Sequence, residues 1–140
     1  MGADQKIEAL RAVSLFSDLR GRDLEEVAQL ADEVDLPAGH VLMREGENGS
    51  QMFIIGSGEA RVEHGGRQIA TLGPGAVLGE MAILSEGPRV ATATLTQPSH
   101  LFVLAHREFH SLMETQPAVR ECVLNEVARR LRELEPEKAH

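Results

Sequence analysis

The sequence predicts a mainly β domain, of sandwich, jelly-roll or barrel type, with helices before and after it. Three observations carry that prediction. Eleven of the thirteen glycines lie between Gly39 and Gly87. Among them, short apolar runs recur every ~8–12 residues with turn residues at their ends, the pattern of an all-β fold. On either side glycine is scarce, and apolar residues recur at steps of three and four, as amphipathic helices require.

The elements follow in order. Residues 4–36 are read as helical. Ile7, Leu10, Ala12, Val13 and Leu15 suggest a first short helix, and Leu24, Val27, Ala28, Leu30, Ala31 and Val34 a second. The stretch from Leu15 to Gly21 reads as a turn that still buries Phe16 and Leu19. Asp23, Glu25 and Glu26 place negative charge in the first turn of the second helix, where the dipole favours it. Residues 37–105 read as strands: 40–44, 51–55, 59–63, 68–72, 90–95 and 101–104, with 45–50 a loop and Gly65-Gly66 a hairpin signal. Residues 106–135 revert to helix. Phe109, Leu112 and Met113 mark one. Pro117 opens the next, since proline's missing N–H costs nothing at a first helical position. Val119, Val123, Val127, Leu131 and Leu134 form its apolar stripe, and Glu126 is read with the charged surface. Together these spans, 1–140, read as one domain with a polar tail at its end.

Composition excludes several functions. The 140 residues carry 22 acidic and 14 basic side chains, a net charge of −8, with no Trp or Tyr. Base stacking on nucleic acid needs aromatic platforms, and a phosphate-tracking surface needs a basic patch. Direct nucleic-acid binding is therefore not expected. The single cysteine, Cys122, excludes an internal disulfide and a Cys-based zinc site, and reads as a small buried apolar residue. No apolar run reaches the ~18 residues of a membrane span. No secretion signal is evident either, so a cytoplasmic location is expected. Among the six histidines, at 40, 64, 100, 106, 110 and 140, only His106 and His110 are paired. They supply half a site, and no metal is expected. Met43, Met52, Met81 and Met113 read as core filler. Arg44, Arg61 and Arg67 read as solvated strand ends.

One segment breaks the β rhythm: Gly79-Glu80-Met81-Ala82-Ile83-Leu84, then Gly87-Pro88-Arg89-Val90. Residues 80–84 make a short helical turn just after a glycine, so the first amides of that turn are free for an anion. Arg89 is one of four basic residues between 37 and 105, and its guanidinium fork matches phosphate oxygens. Glu80 can accept hydrogen bonds from a hydroxyl. This combination reads a sugar phosphate.

The segment resembles the phosphate-binding cassette of the cyclic nucleotide-binding domain family, which includes the catabolite activator proteins and the regulatory subunits of protein kinase A. The order of the surrounding elements is similar over roughly residues 10–134. The resemblance implies an antiparallel β-roll, or double-stranded jelly roll, with N-terminal helices and two C-terminal ones. It also implies a ligand site at Gly79, Glu80, Met81, Ala82, Pro88, Arg89 and Val90. Arg89 would pair with the cyclic phosphate, Glu80 would hold the ribose 2′-hydroxyl, and the amides of Ala82 and Val90 would bond the phosphate. Pro88 would fix the chain's approach to Arg89. Val77, Leu131 and Leu134 would line the base pocket.

The departures tilt the reading. Leu78 stands where many members have Phe. Val90 lacks the hydroxyl of the Thr associated with cyclic GMP, which favours cyclic AMP. The Thr-Ser pair that reads adenine in the catabolite activators falls here on Leu134-Glu135. Their helix-turn-helix is not expected in this chain. The implied function is a non-catalytic sensor or regulatory module with no cofactor. The alternative is a ligand-free interaction module, acting as a homodimer or on an effector protein through residues 117–134. No catalytic motif appears, and the chain is read as not an enzyme.

Overall fold

Strand alternation decides where the core lies. The computed structural model describes residues 2–134. Its central strand β4 (Gln51–Ser57) is buried from Met52 to Ile55. Successive strand side chains point to opposite faces. Met52 and Ile54 therefore enter one core with the helices, while Phe53 and Ile55 enter a second between two sheets. The antiparallel neighbour β10 (Ser99–Ala105) divides likewise. Phe102 and Leu104 face the helices, and Leu101 and Val103 face the other sheet.

The first sheet runs β1-β10-β4-β7, with β1 at Asp32–Leu36 and β7 at Val77–Leu78. The second runs β2-β9-β5-β6: β2 (Val41–Met43), β9 (Thr92–Leu95), β5 (Ala60–His64) and β6 (Arg67–Leu72). A small pair joins β3 (Asn48–Gly49) to β8 (Gly87–Pro88). All these pairings are antiparallel, which is the expected β-roll. Helices α1 (Gly2–Arg11) and α2 (Gly21–Leu30), with a 3₁₀ turn at Ser14–Phe16 between them, cover the outer face of the first sheet. So do α3 (His106–Thr115) and α4 (Pro117–Glu133), whose first residue is the expected proline. Phe16 and Phe109 meet at the centre of that layer, fully buried, with ring centroids 5.4 Å apart. Among the described residues no helix is long and apolar enough to cross a membrane.

Five expectations are corrected. The helical reading of 4–36 fails at its end, because α2 stops at Leu30 and residues 32–36 form β1. Ala31 turns the chain to extended geometry (φ −79°, ψ 132°). From there Val34 and Leu36 alternate with charged residues, and both pack on the inter-sheet core. Part of the 45–50 loop pairs as β3. Met81 is exposed, unlike Met43 and Met52. Arg61 lies within β5 with its Nε buried, not at a solvated strand end. Cys122 is only half-buried. His140 and Glu135 lie outside the described residues.

Strand β1 carries a titratable clamp. His100 Nδ1 lies 2.8 Å from Asp35 Oδ1, and its Nε2 lies 2.9 Å from Glu33 Oε1. Only the protonated ring donates to both carboxylates. The Asp35 hydrogen bond, aided by Glu33 and opposed by burial, raises the pKa of His100 above 6.5. A raised folded pKa stabilises fully below the unfolded value and loses that contribution as pH rises through the folded one. Wild-type stability is therefore expected to exceed that of His100→Gln by up to about 1 kcal/mol in mild acid. The gap should close as pH rises. Melting curves across pH check this, and a gap that widens with pH would be evidence against the clamp.

Candidate functional site

The site begins where β7 ends. Gly79 takes φ +71°, a conformation that glycine adopts without a Cβ penalty. It turns the chain into a 3₁₀ turn at Glu80–Ile83, anchored by the buried Ile83. The chain then passes through β8 and reaches Arg89. The backbone of Arg89 is clamped by the 45–50 segment: its N–H donates to the Glu47 carbonyl at 2.8 Å, and its carbonyl accepts from Gly46 at 2.8 Å.

The Arg89 side chain lies in a niche made by missing side chains. A Cβ at Gly49 would overlap its Nε, and a Cβ at Gly79 would overlap its Nη1. Its Nη2 donates to the Gln51 carbonyl at 2.8 Å. The guanidinium sits 5.9 Å from the centroid of the Phe53 ring. Among the described residues no carboxylate pairs with it. Burial lowers its pKa, because a half-buried cation is penalised until an anion meets it.

Glu80 is held elsewhere, so the two residues do not form an ion pair with each other. One carboxylate oxygen accepts the Leu15 amide at 3.1 Å, and the other accepts Arg130 Nη2 at 3.0 Å. Arg130 also reaches Glu126 at 3.3 Å and the Met81 sulfur at 3.5 Å. Burial works against the Arg130 cation, but Glu80 and Glu126 outweigh it, and its pKa is raised. Glu126 is itself buried, contrary to the surface role read from the sequence. It accepts the Ser14 hydroxyl at 2.8 Å and also pairs with Arg129.

Of Gly79, Glu80, Met81, Ala82, Pro88, Arg89 and Val90, the structure packs the Arg89 side chain against Gly79, where the Glu80–Ile83 turn begins, and two of the others are engaged elsewhere. The Ala82 amide donates to the Gly79 carbonyl at 3.0 Å, within the turn itself. Val90 is exposed, and its carbonyl accepts from His64 Nδ1 at 2.8 Å.

The expected base pocket is not assembled. Val77 pairs opposite Ile54 and therefore faces the helical layer, and it is Leu78, opposite Phe53, that enters the roll. Leu131 and Leu134 are exposed, because α4 buries its stripe only as far as Val123, with Val127 partly covered. Sequence reasoning missed Gly49, Gln51 and Phe53, which together cradle Arg89. Only the two glycines of the 45–50 loop, Gly46 and Gly49, hinted at a close approach.

The site is thus an antiparallel β-roll that holds, against Gly79, an arginine with no carboxylate partner among the described residues. Residues 33–116 match the family model described as the cyclic nucleotide-binding domain. The chain belongs to that family. It is 34% identical over 133 residues to a cyclic AMP receptor protein of Thermus thermophilus, an alignment covering 91% of this chain and 62% of that protein. It resembles the N-terminal domain of a transcriptional regulator from Streptomyces coelicolor A3(2) at a TM-score of 0.84 and 28% identity, covering 93% of this chain and 94% of that one. It also resembles the regulatory domain of Toxoplasma gondii PKA solved with cAMP, at a TM-score of 0.72 and 32% identity, covering 79% of this chain and 44% of that one. The chain spans 58% to 62% of the length of the bacterial regulators it matches.

Proposed function

We propose that this chain, as one domain, binds a 3′,5′-cyclic nucleotide, cyclic AMP in preference to cyclic GMP, and acts as a non-catalytic sensor. One observation carries the reading most directly: Arg89 is half-buried, preorganised by the Gln51 carbonyl, and has no carboxylate partner among the described residues. A cyclic phosphate would supply that anion through a charge-assisted fork. The first amides of a helical turn have no partner within it, and the 80–83 turn begins at Gly79, against which the Arg89 side chain lies. Ala82 would join them by sharing its bond to Gly79. Glu80 would take the ribose hydroxyl, sharing or releasing the Arg130 guanidinium, so that occupancy is felt by α4.

Calorimetric titration with cyclic AMP and with cyclic GMP tests the proposal. Saturable binding of cyclic AMP supports it. The absence of heat at millimolar concentrations of both nucleotides favours the second reading, a ligand-free module working through α4 as a homodimer or on an effector. That reading has its own support: Leu124 and Leu131 are exposed on α4, as is Leu134 just after it, and Glu80 already has partners within the chain.

Val90→Thr tests the selectivity. The added hydroxyl can hydrogen-bond a guanine amino group, and a neutral hydrogen bond contributes about 1 kcal/mol. The ratio of cyclic GMP to cyclic AMP affinity is therefore expected to rise about fivefold. An unchanged ratio would remove Val90 from the specificity argument.

A further inference from the structure

We propose that His64, at the end of β5, is a positioning residue for the nucleotide site, fixing the backbone that carries Arg89 and the Val90 amide. The inference rests on the cyclic-nucleotide reading of that site. His64 Nδ1 lies 2.8 Å from the Val90 carbonyl. A carbonyl only accepts, so Nδ1 carries the proton and donates. Glu45 Oε2 lies 3.4 Å from the same nitrogen and favours the same tautomer.

Val90 needs such a hold. Its side chain is 78% exposed, so packing does not fix it. The pairing of β5 with β9 stops at Glu63 and Thr92, short of Val90. The imidazole reaches past the end of that ladder and supplies one further bond. On the other side of Val90, the Arg89 carbonyl accepts the Gly46 amide at 2.8 Å. The planar peptide units before and after Val90 are therefore both tied through their carbonyls. Among the described residues the Val90 amide itself donates no hydrogen bond. It is a fixed, free donor directly after Arg89, and an anion takes backbone N–H groups of that kind through charge-assisted bonds.

The imidazole is held in turn by Glu45. Glu45 Oε1 accepts the Gly65 amide at 2.9 Å, and the Glu45 amide donates to the Thr92 hydroxyl at 3.0 Å. Glu45 thus joins the β5–β6 turn to the start of β9 and keeps His64 beside Val90. A donor ordered before the anion arrives raises affinity, because binding then has less backbone to order. The His64 side chain is exposed, so replacing it is expected to disturb the ligand-free fold little.

Calorimetric titration with cyclic AMP of wild type, His64→Ala, His64→Asn and His64→Gln is the test. The amide nitrogen of Asn sits as many bonds from the backbone as Nδ1 does, and that of Gln sits one bond further. His64→Asn is therefore expected to bind like wild type, and His64→Ala and His64→Gln about fivefold more weakly. A packing role would not separate Asn from Gln in this way. Melting curves of the ligand-free variants check that they fold. In ligand-free wild type above neutral pH, NMR of the ring nitrogens is expected to find the His64 proton on Nδ1. Equal affinity in wild type and all variants, equal loss in all variants, or a proton on Nε2 would overturn the role of His64 and leave the site standing. No binding of cyclic AMP by wild type would overturn the reading of the site, and the role of His64 with it.

Discussion

Arg89→Ala is expected to weaken cyclic AMP binding at least tenfold, about 1.4 kcal/mol, while leaving the ligand-free protein nearly as stable as wild type. The two halves of this expectation have one cause. Arg89 has no carboxylate partner among the described residues, and burial opposes its charge. Removing it relieves that desolvation and loses one hydrogen bond, to the Gln51 carbonyl. Those changes oppose each other, since a hydrogen bond to a charged group contributes about 1.5–3 kcal/mol and burying a cation costs a similar amount. In the ligand complex nothing offsets the loss, because the phosphate then faces an empty niche. Arg89→Lys keeps the charge but not the fork, and is expected to fall between the two. Calorimetry and melting curves measure the two halves separately. Unchanged affinity would remove Arg89 from the site. A large fall in ligand-free stability would show that the arginine holds the fold and is not held in waiting for an anion.

The contrast between Arg89 and Glu80 shows what a sequence can reveal. Both residues were legible, because the segment from Gly79 to Val90 is local and its spacing is fixed by one turn and one short strand. Their partners were not. The Leu15 amide lies 65 residues from Glu80, and Arg130 lies 50 residues away. Such pairings depend on how α4 and the N-terminal 3₁₀ turn settle on the sheet, and no periodicity encodes that. Strand β1 shows a different failure. Leu30, Ala31 and Val34 continue a three-and-four spacing, and the same Val34 begins a two-residue alternation with Leu36. Pairing with β10 decided between the periods. Val77 and Leu78 are the smallest case. A two-residue strand carries no alternation of its own, and its inward side is set by register with Ile54 and Phe53.

Glu126→Ala is expected to be the most damaging single change in the C-terminal helix, costing about 3 kcal/mol and on the order of 10 °C in Tm. Glu126 is 7% exposed, yet it is a carboxylate. It is tolerated because Ser14, Arg129 and Arg130 all converge on it. Removing one member of such a set leaves the others desolvated without compensation. Arg129 and Arg130 keep partial access to water, which places the cost at the lower end of the range for buried pairs. A second signature separates this mechanism from simple loss of packing. The Ser14 hydrogen bond, opposed by burial and aided by the two arginines, holds the pKa of Glu126 below 4.5. A depressed folded pKa stabilises above the unfolded value and loses that contribution as pH falls through the folded one. The gap between wild type and Glu126→Ala is therefore expected to be full near neutrality and to shrink in acid, below the ordinary carboxylate range. A packing defect would keep its size across pH. Since Arg130 also grips Glu80, the variant leaves that arginine a single carboxylate. A drop in Tm that persists unchanged into acid would mean that Glu126 acts by its volume and not its charge.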